Sequence, residues 1–203
     1  MSDRMYTGRI TSEERSTLGK YFGLALVTAI GAGGVYFFFL TQEIKEVVGF
    51  DPNLPVQSDA ILKRRLKPEE YRVERGNGTQ MPFQNEFWEN TRAGIYTDVI
   101  TNEPLFTSVD KYDAGLGMPT FSKPISKDLL LEVQDNSYDM QRTEVRAKRS
   151  NAHLGHVFAD PQSPSGQRYT LNSAAFHFIP AERMKLEHYE AFLPLLDKKP
   201  GAP

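Results

Sequence analysis

Cysteine is absent from all 203 residues. Its absence excludes disulfides, thiolate metal sites and any cysteine-based nucleophile, although it marks no particular redox compartment. Tryptophan occurs once, as Trp88, where core packing is the ordinary role. There is also no excess of charge: 24 Lys and Arg stand against 26 Asp and Glu, for a formal net charge of −2, so nothing points to a nucleic-acid partner. Long apolar runs are missing with one exception. Tyr21 to Leu40, YFGLALVTAIGAGGVYFFFL, is twenty residues without a charge.

As a helix rising about 1.5 Å per residue, that run spans about 30 Å, the thickness of a bilayer's hydrocarbon core. A single transmembrane α-helix over 21–40 is therefore expected, with the lipid bilayer as a partner. Tyr21, Tyr36 and Phe37–Phe39 suit its interfaces. Gly23, Gly31, Ala32, Gly33 and Gly34 would let a partner's helix approach closely, although glycine is common in membrane helices anyway. Arg4, Arg9, Arg15 and Lys20 precede the run and only Lys45 follows closely, which puts the N-terminus in a matrix or cytoplasm. The following domain then lies in an intermembrane space or periplasm.

The preceding tail, 1–20, is polar and of both charge signs; Thr11-Ser12-Glu13-Glu14 reads either as a helix cap or as part of a solvated tail. Its acidic residues argue against a transit peptide. A linker is expected over 41–60, where Asp51-Pro52 and Leu54-Pro55 disfavour helix. Lys63, Arg64 and Arg65 then suit either a solvated stretch or anionic headgroups. Over 61–181 short β-rich segments alternate with turns: 94–100, 104–108, 139–147, 155–158, 167–171 and 175–179. Such spacing predicts a β-rich fold of antiparallel sheets. A C-terminal extension, 182–203, is expected to begin as helix and end in the disordered Asp197-Lys198-Lys199-Pro200-Gly201-Ala202-Pro203.

Polar groups that could form a site concentrate between Val145 and Pro180. His153-Leu154-Gly155-His156 precedes a Pro/Gly/Ser turn region, and Arg168-Tyr169-Thr170-Leu171-Asn172-Ser173 follows it, so a strand–turn–strand reading sets the two clusters side by side. The spacing of the two histidines on a strand predicts rings on opposite faces, which argues against their sharing a metal with Asp113.

These clusters come after Leu66-Lys67-Pro68-Glu69-Glu70-Tyr71, Gly94-Ile95-Tyr96, Glu103-Pro104-Leu105-Phe106, Asp110-Lys111-Tyr112-Asp113-Ala114-Gly115 and Gly117-Met118-Pro119-Thr120-Phe121. The ordered set resembles the B-type methionine sulfoxide reductases, which reduce methionine-R-sulfoxide, over roughly residues 62–181. That resemblance implies two packed antiparallel sheets with a few peripheral helices. It also implies that His153, His156, Arg168 and Asn172 surround the sulfoxide and its attacking sulfur. The family's nucleophile is a cysteine or selenocysteine, and its position here is Thr170. Threonine oxygen has no sulfenic-like oxidation state, so the substitution removes the redox chemistry itself.

Other positions depart as well. Leu116 stands where many relatives carry a resolving cysteine, and Met118 stands where a tryptophan walls the methyl pocket. Asp98, Thr101, Ala147 and Ser150 occupy the places of two zinc-binding Cys-x-x-Cys pairs, so neither zinc nor any other cofactor is expected. The sequence thus supports a non-catalytic, membrane-anchored domain whose retained polar residues hydrogen-bond across strands, with other subunits of a membrane complex as partners, and a mitochondrial respiratory complex as a setting. It leaves open a tethered sensor of methionine-R-sulfoxide, and an enzyme of altered chemistry in which Thr170 pairs with a histidine base.

Overall fold

The computed structural model describes residues 24–31, 34–41 and 49–197. It divides into two units, Met1–Glu46 and Val47–Pro203. In the first, strand β1 (Leu24–Gly31) pairs antiparallel with β2 (Gly34–Thr41), Leu24 opposite Thr41 and Gly31 opposite Gly34. Over its described residues, the run 21–40 is strand in place of the expected helix. Val27, Thr28, Ile30, Val35, Tyr36 and Phe37–Phe39 all favour extended backbone, and each interior glycine disfavours a helix by about 1 kcal/mol. Among the described residues no helix is long and apolar enough to cross a membrane. The expected polar tail 1–20, residues 42–48 of the expected linker and the last residues, 198–203, lie outside the described residues.

Near the start of the second unit, Phe50 packs into a small core with Ile95, Ile179, Met184 and Tyr189, so part of the expected linker belongs to the folded domain. Two short helices follow, α1 (Asp59–Arg65) and α2 (Pro68–Glu74). Proline in the first turn of α2 costs no hydrogen bond, because that N–H would have no partner in the helix. Glu70 closes the turn by accepting from the Lys67 N–H at 2.9 Å. Arg65, expected among solvated charges, instead donates to the carbonyls of Val99 and Ile100.

Two antiparallel sheets follow. One has three strands: β3 (Gly94–Asp98) lies between β4 (Pro104–Thr107) and β11 (Phe176–Pro180). The other has six, in the order β5 (Lys111–Tyr112), β6 (Thr120–Phe121), β10 (Gln167–Leu171), β9 (His153–Ala159), β8 (Arg142–Ala147) and β7 (Leu130–Asp135). The sheets meet through aromatic side chains. Tyr96 and Phe106 of the smaller sheet lie 5.0 and 4.8 Å, ring to ring, from Phe121 of the larger, and each such pair is worth about 0.5–1.5 kcal/mol beyond burial. Six of the strands fall on expected segments; β5, β6 and β7 do not. The C-terminal extension holds two 3-10 turns, Ala181–Arg183 and Glu190–Leu195, in place of the expected helix, with Pro194 inside the second.

Candidate functional site

Pairing register sets Thr170 of β10 opposite Thr120 of β6 on one side and His156 of β9 on the other, and His156 in turn lies opposite Glu144 of β8. Paired residues share a face, so Thr120, Thr170, His156 and Glu144 form one polar row across the larger sheet. Tyr169 and Leu171, the alternate residues, are buried in the main core.

His153 joins that row, contrary to the expectation of opposite faces. Val145 pairs with Gly155 but Arg146 pairs with His153, so Leu154 is an extra residue in β9. A bulge of this kind resets the side-chain parity, and the two imidazoles lie edge to face with centroids 5.6 Å apart. Gly155 makes it possible: its φ is +151°, and a Cβ there would stand 2.4 Å from the Thr170 carbonyl oxygen.

Each imidazole has a carboxylate that the sequence reading missed. His153 Nδ1 and Glu144 Oε1 are 2.6 Å apart, and His156 Nε2 and Asp135 Oδ2 are 2.8 Å apart. Arginines complete the two clusters, Arg146 donating to Glu144 at 2.5 Å and Arg142 to Asp135 at 2.7 Å. Burial lowers the His153 pKa despite the opposing pull of Glu144, which favours the neutral ring. The hydroxyl and amide of Ser137, with His156, hold Asp135 well below the usual carboxylate range. Carboxylates at 144 and 135 carried only a weak signal, an acidic residue within or beside a strand.

Thr170 takes no part in these bonds. Its Oγ1 is buried and has no hydrogen-bond partner among the described residues. Arg168 stacks on Phe158 at 5.2 Å and approaches Asp160 Oδ2 at 3.8 Å. Asn172 is a structural clamp: its side chain accepts from the Gln80 N–H at 2.9 Å and donates to the Leu154 carbonyl at 3.1 Å. Ser173 likewise donates to Asn85 Oδ1 at 2.6 Å and accepts from the Phe87 N–H. The site's polar side chains therefore bind strands and loops to one another.

Residues 66–180 match the SelR domain. The chain belongs to the SelR, or methionine-R-sulfoxide reductase, family. Within this SelR domain, Leu116 is 37% exposed and so lines an open surface. Met118 receives a weak hydrogen bond from Asn85 at 3.5 Å. At the positions of the zinc ligands, Asp98 accepts from Thr101 Oγ1 at 2.6 Å and from the Ile100 N–H at 3.0 Å. Ser150 Oγ accepts from the Ala152 N–H, and Ala147 offers no donor atom. One hydrogen-bonded carboxylate and two hydroxyls do not make a zinc site. Two cavities of the domain are lined by other residues for the most part, although the second reaches Arg142 and Phe158. One, of about 600 Å³, includes Trp88, Lys111 and Asp113 in its lining; the other, of about 500 Å³, includes Arg142, Val157 and Phe158.

Proposed function

We propose that this chain is a non-catalytic SelR-domain protein, anchored in a membrane and serving as a structural or accessory subunit of a multi-subunit membrane complex, in a setting such as a mitochondrial respiratory complex. The observation that carries the non-catalytic reading is the isolation of Thr170. An activated hydroxyl needs a base within hydrogen-bond reach. Here Oγ1 has no partner, and His153 and His156 are turned to Glu144 and Asp135. No cysteine elsewhere could supply the thiol that the family chemistry uses. The same observation disfavours an enzyme working through Thr170.

Anchoring is supported by the twenty uncharged residues of 21–40 and by the basic residues before them. The polar row supports a scaffold, because its members are committed to holding strands together. Purified full-length chain incubated with methionine-R-sulfoxide and a dithiol should form methionine no faster than the reductant alone, and enzyme-dependent turnover would overturn the reading. Gentle detergent extraction and native-gel mass spectrometry test the subunit role. Co-migration with a large membrane complex at fixed stoichiometry is expected, and a free monomer would sink it.

A further inference from the structure

Beside the degenerate site, three large apolar side chains face solvent: Met81 is 65% exposed, Phe83 56% and Leu116 37%. They sit on two loops joined by the Phe83 N–H, which donates to the Gly117 carbonyl at 2.8 Å. Phe83 has φ +60°, a left-handed backbone that a bulky residue rarely adopts. Gly117 accommodates it, since a Cβ at that position would lie 2.5 Å from the Phe83 Cγ and backbone nitrogen. Local strain is thus maintained where it holds an aromatic ring outward. That ring meets Trp88 edge to face, with centroids 5.1 Å apart.

Trp88 in turn walls the cavity of about 600 Å³, together with Glu89, Ser108, Lys111 and Asp113. Charge there is unbalanced. Glu86, Glu89 and Asp113 are exposed, and none of them forms an ion pair among the described residues. The cation among the lining residues, Lys111, is half-buried, donates to the Trp88 carbonyl at 3.0 Å and has its charge stabilised by Asp113, which leaves an excess of one carboxylate in the lining. The indole therefore lies beside acidic groups at the edge of an apolar patch. An indole face attracts a cation, most strongly when water is partly excluded, and Met and aromatic surfaces adapt to varied apolar partners.

We propose that this rim docks a basic, apolar-flanked segment of a partner protein, with an arginine or lysine lying on Trp88 between Glu89 and Asp113 and its apolar neighbours covering Met81, Phe83 and Leu116. A free small cation would meet the carboxylates but leave the apolar patch wet. The inference deepens the accessory-subunit reading, on which it rests, by naming the surface such a subunit presents.

Trp88 is the only tryptophan, so its emission reports on this site alone. The full-length chain in detergent is titrated with a tryptophan-free peptide of alternating arginine and leucine, with its glutamine-for-arginine counterpart, and with arginine amide. Saturable change with the arginine peptide is expected, weakened about tenfold or more in the Glu89→Gln/Asp113→Asn double variant and in Phe83→Ala. Circular dichroism and the unfolding midpoint check that the variants remain folded, and the double variant alters exposed carboxylates only. Equal response to the glutamine peptide, unchanged binding by the variants, or saturation by arginine amide at the peptide's own concentration would each overturn the proposal. Emission reads binding and not turnover. Reductase activity would therefore remove the non-catalytic reading, while silence in this titration would remove the docking surface alone.

Discussion

Burial decides the protonation of Glu74, whose carboxyl on α2 is fully enclosed and has no hydrogen-bond partner among the described residues. Desolvation raises its pKa well above the usual carboxylate value, Asp98 and Glu70 push the same way, and Arg75 and Arg146 oppose them. A folded-state pKa above the unfolded one means stability that is full below about pH 4.5 and is lost as pH rises through the folded pKa. Glu74→Gln cannot ionise and escapes that loss. Urea unfolding at pH 4 and pH 8 should show the difference between variant and native chain shifting by roughly 1–3 kcal/mol in the variant's favour at pH 8. A pH-independent difference would mean that the carboxylate ionises without penalty. Thr170 offers a second test of an unpaired group. Valine keeps its β-branched shape, so Thr170→Val should hold the urea midpoint or raise stability by up to about 1 kcal/mol. A clear loss would show that the hydroxyl has a partner after all.

At the scale of elements, legibility depended on whether a strand's surroundings repeat in its own sequence. Segments such as 104–108 and 167–171 are bounded by turn residues and matched strands β4 and β10 closely. Strand β7, LLEVQD, is an edge strand with four consecutive exposed residues, which leaves no alternation to read. Strands β5 and β6 have two residues each, too few to show a period. The family motif placed Thr170, His153, His156, Arg168 and Asn172 together. It did not supply Asp135 or Glu144, because cross-strand register is not written in any local pattern. Nor did a simple period of two anticipate the bulge at Leu154, for which Gly155 inside a strand was the available signal. Gly155→Ala tests that device. The new Cβ would meet the Thr170 carbonyl oxygen at 2.4 Å and Leu171 Cα at 2.8 Å, in a backbone conformation that alanine adopts only under strain. A loss of about 2 kcal/mol or more in urea unfolding is expected. A smaller loss would mean that the bulge relaxes into regular pairing.

At the scale of the whole molecule, the 21–40 run has to be compared in two solvents. A two-stranded hairpin such as β1–β2 has two edges, each with a row of backbone N–H and C=O groups outside the pair. Water satisfies those groups, but such a hairpin is only marginally stable there. In a bilayer they have no partner, at several kcal/mol each, whereas a helix satisfies its backbone internally and reaches about 30 Å across. Lipid should therefore convert the run to helix, and oriented circular dichroism of the full-length chain in aligned bilayers is expected to show a transmembrane helical signal. The chain should also resist alkaline extraction from membranes, and deletion of 21–40 should release it. The deletion should leave the domain's own unfolding midpoint in place, because the residues of both described cores lie in the Val47–Pro203 unit. Retention of the deleted chain would mean that the folded domain itself holds the membrane or a membrane partner. A strand signal in aligned bilayers would mean that β1 and β2 find further pairing partners there, since only closed pairing removes the edge groups from lipid.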